Sequence, residues 1–332
     1  MITITTKGSD FKVDLGTGDI LYYPIDDITQ RAISTTVELY LQGDLVHSFK
    51  SSDFASPSGT AEQIADAISA LSNISSQDFL LEVSKGNREK HSIVIIDGRN
   101  ADVGTSSLVD VGMKNEDFNW LTAASSLEAI STSTSDTAAG TGCRKITVEG
   151  LDANFDPITA DIVMNGTTVT ASTVPTFIRV NKVTCIENGA YASTGSGSND
   201  GDITIRVSGA GAIQSFISKP TDLMGAGASQ DVKYTIPNNH IAIVTGVGFN
   251  VNSIKQAKLL FLSRQGADVI AAPFTPKVIA SIIDGGSGRH SIPKEELNTL
   301  IIGKTDIWAA SIATANNTEV AARIVILLID QS

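Results

Sequence analysis

The chain has 332 residues, 42% of them hydrophobic and only 5% aromatic, with a formal net charge of -12 at pH 7. That length allows two domains of ordinary size and a sizeable core. The negative charge excludes binding driven by contacts with a phosphate backbone, so we expect no nucleic-acid partner.

Membrane and secretion signals are weak. The most hydrophobic window, "RIVILLI" at Arg323 to Ile329, falls well short of the ~20 apolar residues that span a bilayer. The first stretch, "MITITTKGSDFKVDL", alternates and carries charge within ten residues, unlike the apolar region of a signal peptide. We therefore expect no membrane partner and synthesis in a cytoplasm.

Residues 1–98 predict a small α+β domain. "MITITT" and "FKVDL" alternate like strands, and "TTVELYLQGDLVHSFK" predicts a hairpin that turns at Gln42 to Asp44. In "SGTAEQIADAISALSN", Thr60 and Gln63 form a capping box before apolar residues at helical spacing, which predicts a helix. After it, "DFLLEVSKGNREKHSIVIIDG" is interpreted as a second hairpin.

Residues 99–137 lose periodicity and are predicted to be a connecting segment. "TAASSLEAIS" within it is compatible with a short helix. Trp120 is expected to fix this segment to a neighbouring surface.

Residues 138–332 show the regular strand texture of an antiparallel β-sandwich, jelly-roll-like region or closed barrel. Two subdomains, 138–218 and 228–332, are an alternative organisation. The last strand contains six consecutive aliphatic residues, Ile324 to Ile329, and has no polar face. We expect it to be buried on both sides, in the centre of the domain or under a neighbouring subunit. The predicted fold class is therefore mainly β.

Two cysteines, Cys143 and Cys185, are too few for a disulfide framework or a cysteine-rich zinc site. Both lie in apolar strand sequences, and we interpret them as small buried hydrophobic residues. A cross-strand disulfide is the alternative.

Asp152, Asn154 and Asp156 have the alternating spacing with which a calcium-binding loop begins. Such a loop requires glycine at its sixth position and a bidentate carboxylate at its twelfth, where this chain has Pro157 and Val163. The flanks also have the sequence of strands, so we predict a hairpin turn. A looser calcium site, completed by backbone carbonyls, is the alternative.

Other candidate sites are weaker. His47, His91, His240 and His290 have no metal-binding spacing. "DGGSGRH" and "VTGVGF" lack the contexts of phosphate and dinucleotide loops. The acidic pairs Asp26–Asp27 and Glu295–Glu296 are adjacent, so on a strand they would point to opposite faces. We therefore predict no catalytic, cofactor-binding or metal residues beyond the calcium alternative.

Three stretches resemble virion structural proteins of tailed bacteriophages, particularly those of aquatic and cyanobacterial hosts. The resemblance covers about residues 131 to 332, without the N-terminal region. Its motifs are "STSTSDTAAGTGCRKITVEGLDANFDPITADIVMNGTTVTASTVPTFIRVNKV" with "SNDGDITIRV", then "YTIPNNHIAIVTGVGFNV", and finally "KTDIWAASIATANNTEVAARIVILLID". The first includes a predicted Asn165–Gly166 turn.

The resemblance implies a non-enzymatic virion component, either a capsid decoration or head-fibre protein or a neck, tail or baseplate appendage. It implies a homo-oligomer, with a trimer as the expected state, that contacts major capsid or neck and tail proteins. Residues 1–98 would be an anchoring domain. A carbohydrate-binding adhesin with Tyr191 or Trp308 at its site is the alternative from another class. A hydrolase is a third, although the chain has no nucleophile motif and no suitably spaced carboxylates.

Overall fold

The computed structural model divides the chain into two compact units, Met1–Arg88 and Glu89–Ser332. Side chains are described from residue 79 onward. The described residues are 3–7, 10–14, 20–24, 28–33, 36–41, 44–50, 76–189, 198–220, 227–251, 255–283, 288–292, 297 and 299–332.

The described residues of the first unit form two three-stranded antiparallel sheets and a helix, α1 (Ser76–Ser84). One sheet has the order β1-β2-β3 and the other β4-β5-β6. The predicted hairpin is formed by β5 and β6, with Leu41 opposite Asp44. The predicted helix with Thr60 and Gln63 lies outside the described residues. The strands are β1 (Thr3–Lys7), β2 (Asp10–Asp14), β3 (Ile20–Pro24), β4 (Ile28–Ile33), β5 (Thr36–Leu41) and β6 (Asp44–Lys50).

The hairpin predicted from "DFLLEVSKGNREKHSIVIIDG" is wrong. Its first apolar run is part of α1, and its second begins β7 (His91–Val103). Phe79 and Val83 are four residues apart and so share one face of a helix, and Val83 is buried. β7 pairs with the last strand of the chain, β22 (Thr318–Asp330). Two apolar runs around a polar turn predict a hairpin, but a distant partner replaced the local pairing.

The second unit consists of two β layers, which we call the base and the insert. Each layer is itself a pair of sheets packed around its own hydrophobic core. The base comprises β7, β8 and the strands from β15 to β22, while the insert comprises β9 to β14 and enters between β8 and β15. The base strands after β7 are β8 (Val109–Asp110), β15 (Lys233–Thr235), β16 (His240–Val251), β17 (Ala257–Arg264), β18 (Lys277–Ile283), β19 (Gly288–Ile292), β20 (Leu300–Ile302), β21 (Asp306–Ala313) and β22. The insert strands are β9 (Leu127–Ser131), β10 (Cys143–Leu151), β11 (Pro157–Val163), β12 (Arg179–Asn188), β13 (Ile203–Val207) and β14 (Ile213–Ile217).

Two antiparallel sheets of the base share one hydrophobic core. One has the order β15-β21-β17-β18, with β8 added to β21, and the other has the order β19-β16-β22-β7, with β20 added to β16. β22 lies between β16 and β7, and its Ile324, Ile326 and Leu328 are buried in that core. Leu327 on its opposite face is only 7% exposed. The rest of that face is open, since Val325 and Ile329 are partly exposed and Arg323 is exposed. The expectation that β22 is buried on both sides therefore holds only near Leu327.

The insert repeats this construction with two three-stranded antiparallel sheets, β11-β10-β12 and β14-β13-β9, around a second core. Cys143 on β10 and Cys185 on β12 form a disulfide with a Cα–Cα distance of 6.1 Å. The interpretation of two unpaired buried residues is therefore wrong, and the alternative of a cross-strand disulfide is confirmed. Spacing alone could not decide this, because only the pairing of β10 with β12 brings the two residues together.

The strand bounds differ from the expected domain limits. β7 runs through residue 98, and β8 and β9 lie within the segment expected to connect the domains. The short helix considered for "TAASSLEAIS" is not formed, since its last five residues are β9. Leu127 and Ala129 are fully buried there, with the period of two of a strand facing a core. The prediction of a mainly β chain with antiparallel sheets is confirmed.

The disulfide closes a loop across 42 positions of the insert, so reduction should lower its free energy of unfolding by about 2–4 kcal/mol. Urea unfolding with and without a thiol reductant measures the difference. The Cys143→Ala/Cys185→Ala double variant should unfold at the urea midpoint of the reduced protein, and the reductant should not change that midpoint. Equal midpoints for the oxidised and reduced wild type would contradict the prediction.

Candidate functional site

The insert and the base meet at buried charged side chains. Asp306 on β21, fully buried, accepts two hydrogen bonds from Arg179 of the insert, at 2.8 and 3.1 Å. It accepts a third from Arg264 of the base at 2.8 Å and a fourth from the Thr235 hydroxyl at 2.7 Å. One carboxylate therefore joins the two layers through charge-assisted bonds.

Ring faces and carbonyls surround the two guanidinium groups. Arg179 donates to the carbonyl of Leu121 at 2.8 Å, and its guanidinium carbon lies 5.2 Å from the centre of the Trp120 ring. The guanidinium carbon of Arg264 also lies 5.4 Å from the centre of the Trp120 ring. Trp120 also packs against Trp308 at 5.7 Å between ring centres. The prediction that Trp120 fixes its segment to a neighbouring surface is confirmed, and these contacts offset the excess positive charge.

A second charged cluster lies at the same junction. Lys233 on β15 is buried, donates to the backbone carbonyl of Gln214 on β14, and lies 3.7 Å from the carboxylate of Asp231. Asp231 accepts from the Ser215 hydroxyl at 2.8 Å. Burial lowers the pKa of Lys233. This cluster therefore also ties the insert, through β14, to the base.

Asp110 on β8 completes this cluster. Its carboxylate accepts the backbone N–H of Phe118 at 2.7 Å, and the Phe118 ring lies 4.7 Å from the Lys233 ammonium. Burial raises the pKa of Asp110 to about 6. The two clusters together contain six charged groups. Three are carboxylates and three are cations, namely Asp306, Asp231 and Asp110 with Arg179, Arg264 and Lys233. The junction is therefore neutral when every group is ionised.

Shifted pKa values in a cleft are one mark of a catalytic site, but the space here is too small. The cavity beside Lys233 and Asp231 has a volume of about 20 Å³, close to the room that one water molecule needs. Every carboxylate of the junction already accepts hydrogen bonds from the chain itself. These groups hold the two layers together, and one of them, Asp231, also lines the larger groove along β7.

Asp136 gathers three parts of the sequence that resembled virion proteins. This fully buried residue accepts backbone N–H bonds from Cys143 at 2.7 Å, Asp200 at 2.8 Å and Gly201 at 2.9 Å. Its own carbonyl accepts the N–H of Gly166, which has φ +63° and ends the predicted Asn165–Gly166 turn. The Ser- and Thr-rich stretch before β10 is therefore an ordered anchor for two distant turns.

The calcium-like loop is the turn between β10 and β11, as the hairpin prediction expected. The Asp152 side chain accepts the N–H groups of Asn154 at 2.8 Å and Asp156 at 3.0 Å, while Phe155 adopts φ +67° and is buried. This is an Asx turn, in which backbone donors occupy the first carboxylate. Within the part of the chain that the structure describes, no three metal-binding side chains gather at one place.

The remaining predicted positions are dispersed. His47 is in β6, His91 and His240 are at the starts of β7 and β16, and His290 is in β19. Trp308 is 7% exposed and packed against Trp120, so it offers no face to a sugar ring. Asp26–Asp27, Glu295–Glu296 and Tyr191 lie outside the described residues.

Among the grooves that open at the surface of the second unit, two border large exposed apolar side chains. One, of about 470 Å³, runs along β7 from Ile93 to Asp97 toward Tyr234 and the insert. The other, of about 360 Å³, lies between the start of β18 and β20. Large aliphatic or aromatic side chains that line them are 45–58% exposed, namely Ile95, Phe274, Val278, Leu300 and Ile302. Sequence reasoning missed both grooves, since each lies between strands far apart in the chain.

Among the helices that the structure describes, none has the length and apolar character of a membrane span.

Comparisons with known proteins give little. No family model matches the chain, and no curated protein matches it. A structure of the infectious bursal disease virus Gt strain is 11% identical, with 73% of this chain and 77% of that chain covered and a TM-score of 0.16. A structure of the Gx strain is 10% identical, with coverages of 74% and 77% and a TM-score of 0.13. The VP2 subviral particle of that virus is 10% identical, with 73% of this chain and 72% of that chain covered and a TM-score of 0.13. Such low TM-scores carry no argument about fold or function.

Asp306→Ala would leave the buried guanidinium group of Arg179 and the partly buried one of Arg264 without their carboxylate. We therefore expect a loss of about 3–5 kcal/mol in the free energy of unfolding. Asp268→Ala is the matched control, because Asp268 pairs with Lys304 at 3.0 Å on the surface and should contribute less than about 1 kcal/mol. Urea unfolding of both variants tests this. Equal losses would show that the junction does not join the layers.

Asp110 should make stability depend on pH. Because its pKa is about 6 in the folded chain against 3.8 ordinarily, the folded state holds a proton that the unfolded state releases between these values. Stability should therefore fall as pH rises from about 4 to 6, by up to about 3 kcal/mol from this group.

Asp110→Asn removes this titration and keeps an oxygen for the Phe118 N–H. Between about pH 4.5 and 6.5, where Asp110 titrates, the urea midpoint of the variant should fall less than that of the wild type. The surface control Asp102→Asn should behave like the wild type. If Asp110→Asn kept the pH profile of the wild type, Asp110 would not be the source of the pH dependence.

Proposed function

We propose that this chain is a non-enzymatic structural protein of a tailed-phage virion, an oligomeric capsid decoration or head-fibre protein that acts through protein–protein contacts. The observation that supports this proposal is where charged and aliphatic side chains lie, in the interior or at the surface. The clustered charged groups described above serve the internal junction, whereas the surface presents half-exposed aliphatic side chains and two grooves. A protein built this way works through its surfaces.

The sequence resemblance supports the same proposal from separate residues. Its first motif and "SNDGDITIRV" lie 64 residues apart at Asp136 and Asp200, yet they meet in one hydrogen-bonded structure. The third motif supplies Asp306 and the central strand β22. The quoted patterns are thus the residues that shape the second unit, which is what a shared fold requires.

The finer parts of the proposal concern partners and location. The chain assembles with itself, as a trimer, and contacts major capsid or neck and tail proteins in the virion. Its first unit anchors it to the particle. A site on the neck, tail or baseplate is the second location, and the same experiment distinguishes the two.

The test is to measure assembly and location together. Light scattering of the purified full chain should give a stable oligomer, and gold-labelled antibodies should mark virions of the encoding phage at one structural position, head or tail. Glycan arrays and assays of polysaccharide turnover should be negative. A stable monomer without affinity for particles would refute the proposal, and binding to one glycan class would favour the adhesin.

A further inference from the structure

The two cysteines of the insert differ in their access to solvent. Cys143 is fully buried in the core of the insert, whereas Cys185 is only partly buried and packs against that core. The next two residues of β12, Ile186 and Glu187, are exposed. The disulfide therefore runs from a residue inside the insert to one near its surface.

This asymmetry decides how a thiol in solution breaks the bond. A thiolate attacks one sulfur of a disulfide, and the other sulfur leaves. Attack on Cys143 is blocked while the insert is folded, because that residue has no exposed surface. Attack on Cys185 comes from the solvent side and expels the inner sulfur. Exchange with the folded chain is therefore directed to Cys185.

Main-chain hydrogen bonds hold both cysteines in place without the disulfide. β10 and β12 are neighbouring strands that pair over their full lengths. The Cys143 N–H donates to the Asp136 carboxylate at 2.7 Å, and the Cys185 N–H donates to the Gly227 carbonyl at 2.6 Å. None of these bonds involves sulfur. The two Cα atoms, which are 6.1 Å apart, should therefore stay close together after reduction.

Each sulfur also has an oxygen atom within reach. The Cys143 Sγ lies 3.5 Å from the Lys145 carbonyl oxygen, and the Cys185 Sγ lies 2.9 Å from the Asn188 side-chain oxygen. A thiol is a weak hydrogen-bond donor, so after reduction each cysteine can donate to the acceptor beside it. The reduced chain thus avoids the free-energy cost of a buried donor without a partner.

We propose that Cys143 and Cys185 are a reversible thiol–disulfide pair, and that Cys185 is the site at which low-molecular-weight thiols, such as glutathione, attach. In the first step a thiolate bonds to the Cys185 sulfur. The electron pair of the S–S bond passes to the Cys143 sulfur, which takes up a proton.

The second step releases the attached thiol. Another thiolate attacks the sulfur of that thiol, the two small thiols leave as one disulfide, and Cys185 takes up a proton. Two small thiols are thus oxidised for each protein disulfide that is reduced. The same steps in reverse, with the small disulfide as oxidant, close the protein bond.

The setting of this pair rests on the proposed function. A virion protein is made in a host cytoplasm, where small thiols keep cysteines reduced, and leaves with the particle for an oxidising medium. The chain would assemble reduced and be oxidised after release. Oxidation then joins the stretch held by Asp136 to the strand that pairs with Gly227, just before the junction residue Asp231. The bond therefore stiffens the insert where it approaches the base.

The test exposes the purified, oxidised full chain to reduced glutathione at neutral pH and stops the reaction with acid. Free thiols are then alkylated in denaturant, and mass spectrometry of proteolytic peptides locates each group. We expect glutathione on Cys185 and the alkyl group on Cys143 in at least about tenfold excess over the reverse pattern, because access to solvent controls the reaction. Glutathione on both cysteines in equal amounts would overturn the assignment of Cys185.

Two single variants form a matched pair, since each lacks the disulfide and keeps one cysteine. With oxidised glutathione as the probe, Cys143→Ser should form the mixed disulfide at Cys185. Cys185→Ser should react at least about tenfold more slowly at the buried Cys143. Equal rates would contradict the difference in access. If circular dichroism shows that either variant does not fold, the peptide map of the wild type decides.

The effect of urea distinguishes exchange in the folded chain from exchange after unfolding. In the folded chain the rate of reduction should be proportional to the glutathione concentration and change little in urea below the unfolding transition. The reduced chain should keep the circular dichroism of the oxidised chain and recover the disulfide when oxidised glutathione is added. A rate that rises steeply with urea, or a reduced chain that unfolds without denaturant, would overturn the reversible pair.

None of these measurements depends on assembly. An oligomer that binds virions but whose disulfide resists glutathione overturns the thiol–disulfide pair and leaves the proposed function standing. A monomer without affinity for virions that exchanges at Cys185 as expected refutes the proposed function and leaves the chemistry of the pair standing.

Discussion

The carboxylate of Asp306 is the constraint on which the second unit depends. The insert interrupts the base between β8 and β15, so two separate hydrophobic cores must be held in one arrangement. Asp306 does this by accepting hydrogen bonds from Arg179 of the insert and Arg264 of the base. Burying a carboxylate is costly unless partners replace its water. The junction therefore specifies one relative position of the two layers.

That position has consequences at the surface. With β12 and β14 of the insert held against β15 of the base, Glu149 and Lys182 of the insert form one wall of the groove along β7. The same junction uses the charged groups that a catalytic site would need, and its cavity has room for about one water molecule. Among the described residues, the buried charged clusters therefore lie at the junction, whereas half-exposed aliphatic side chains border the surface grooves.

Sequence reasoning succeeded where a pattern is local. Alternation predicted most strands after residue 138, and the Asx turn of Asp152 followed from the residue types of the loop. It failed where a distant partner decided the outcome. The run "FLLEV" is as compatible with a strand as with a helix, and "LEAIS" became β9 because β13 supplied a partner. Cys143 and Cys185 were visible as residues, but not as neighbours.

The sequence by itself determined the fold class: a mainly β chain that is rich in turn residues and poor in aromatic ones, with an apolar last strand. Only the tertiary structure decided that one β layer is inserted into another, that Arg179 and Asp306 meet across 127 positions, and which strands end each sheet. The physical reason is that periodicity records which face of a strand is buried. It contains no information about which strand lies beside it, and junctions, disulfides and grooves depend on that pairing.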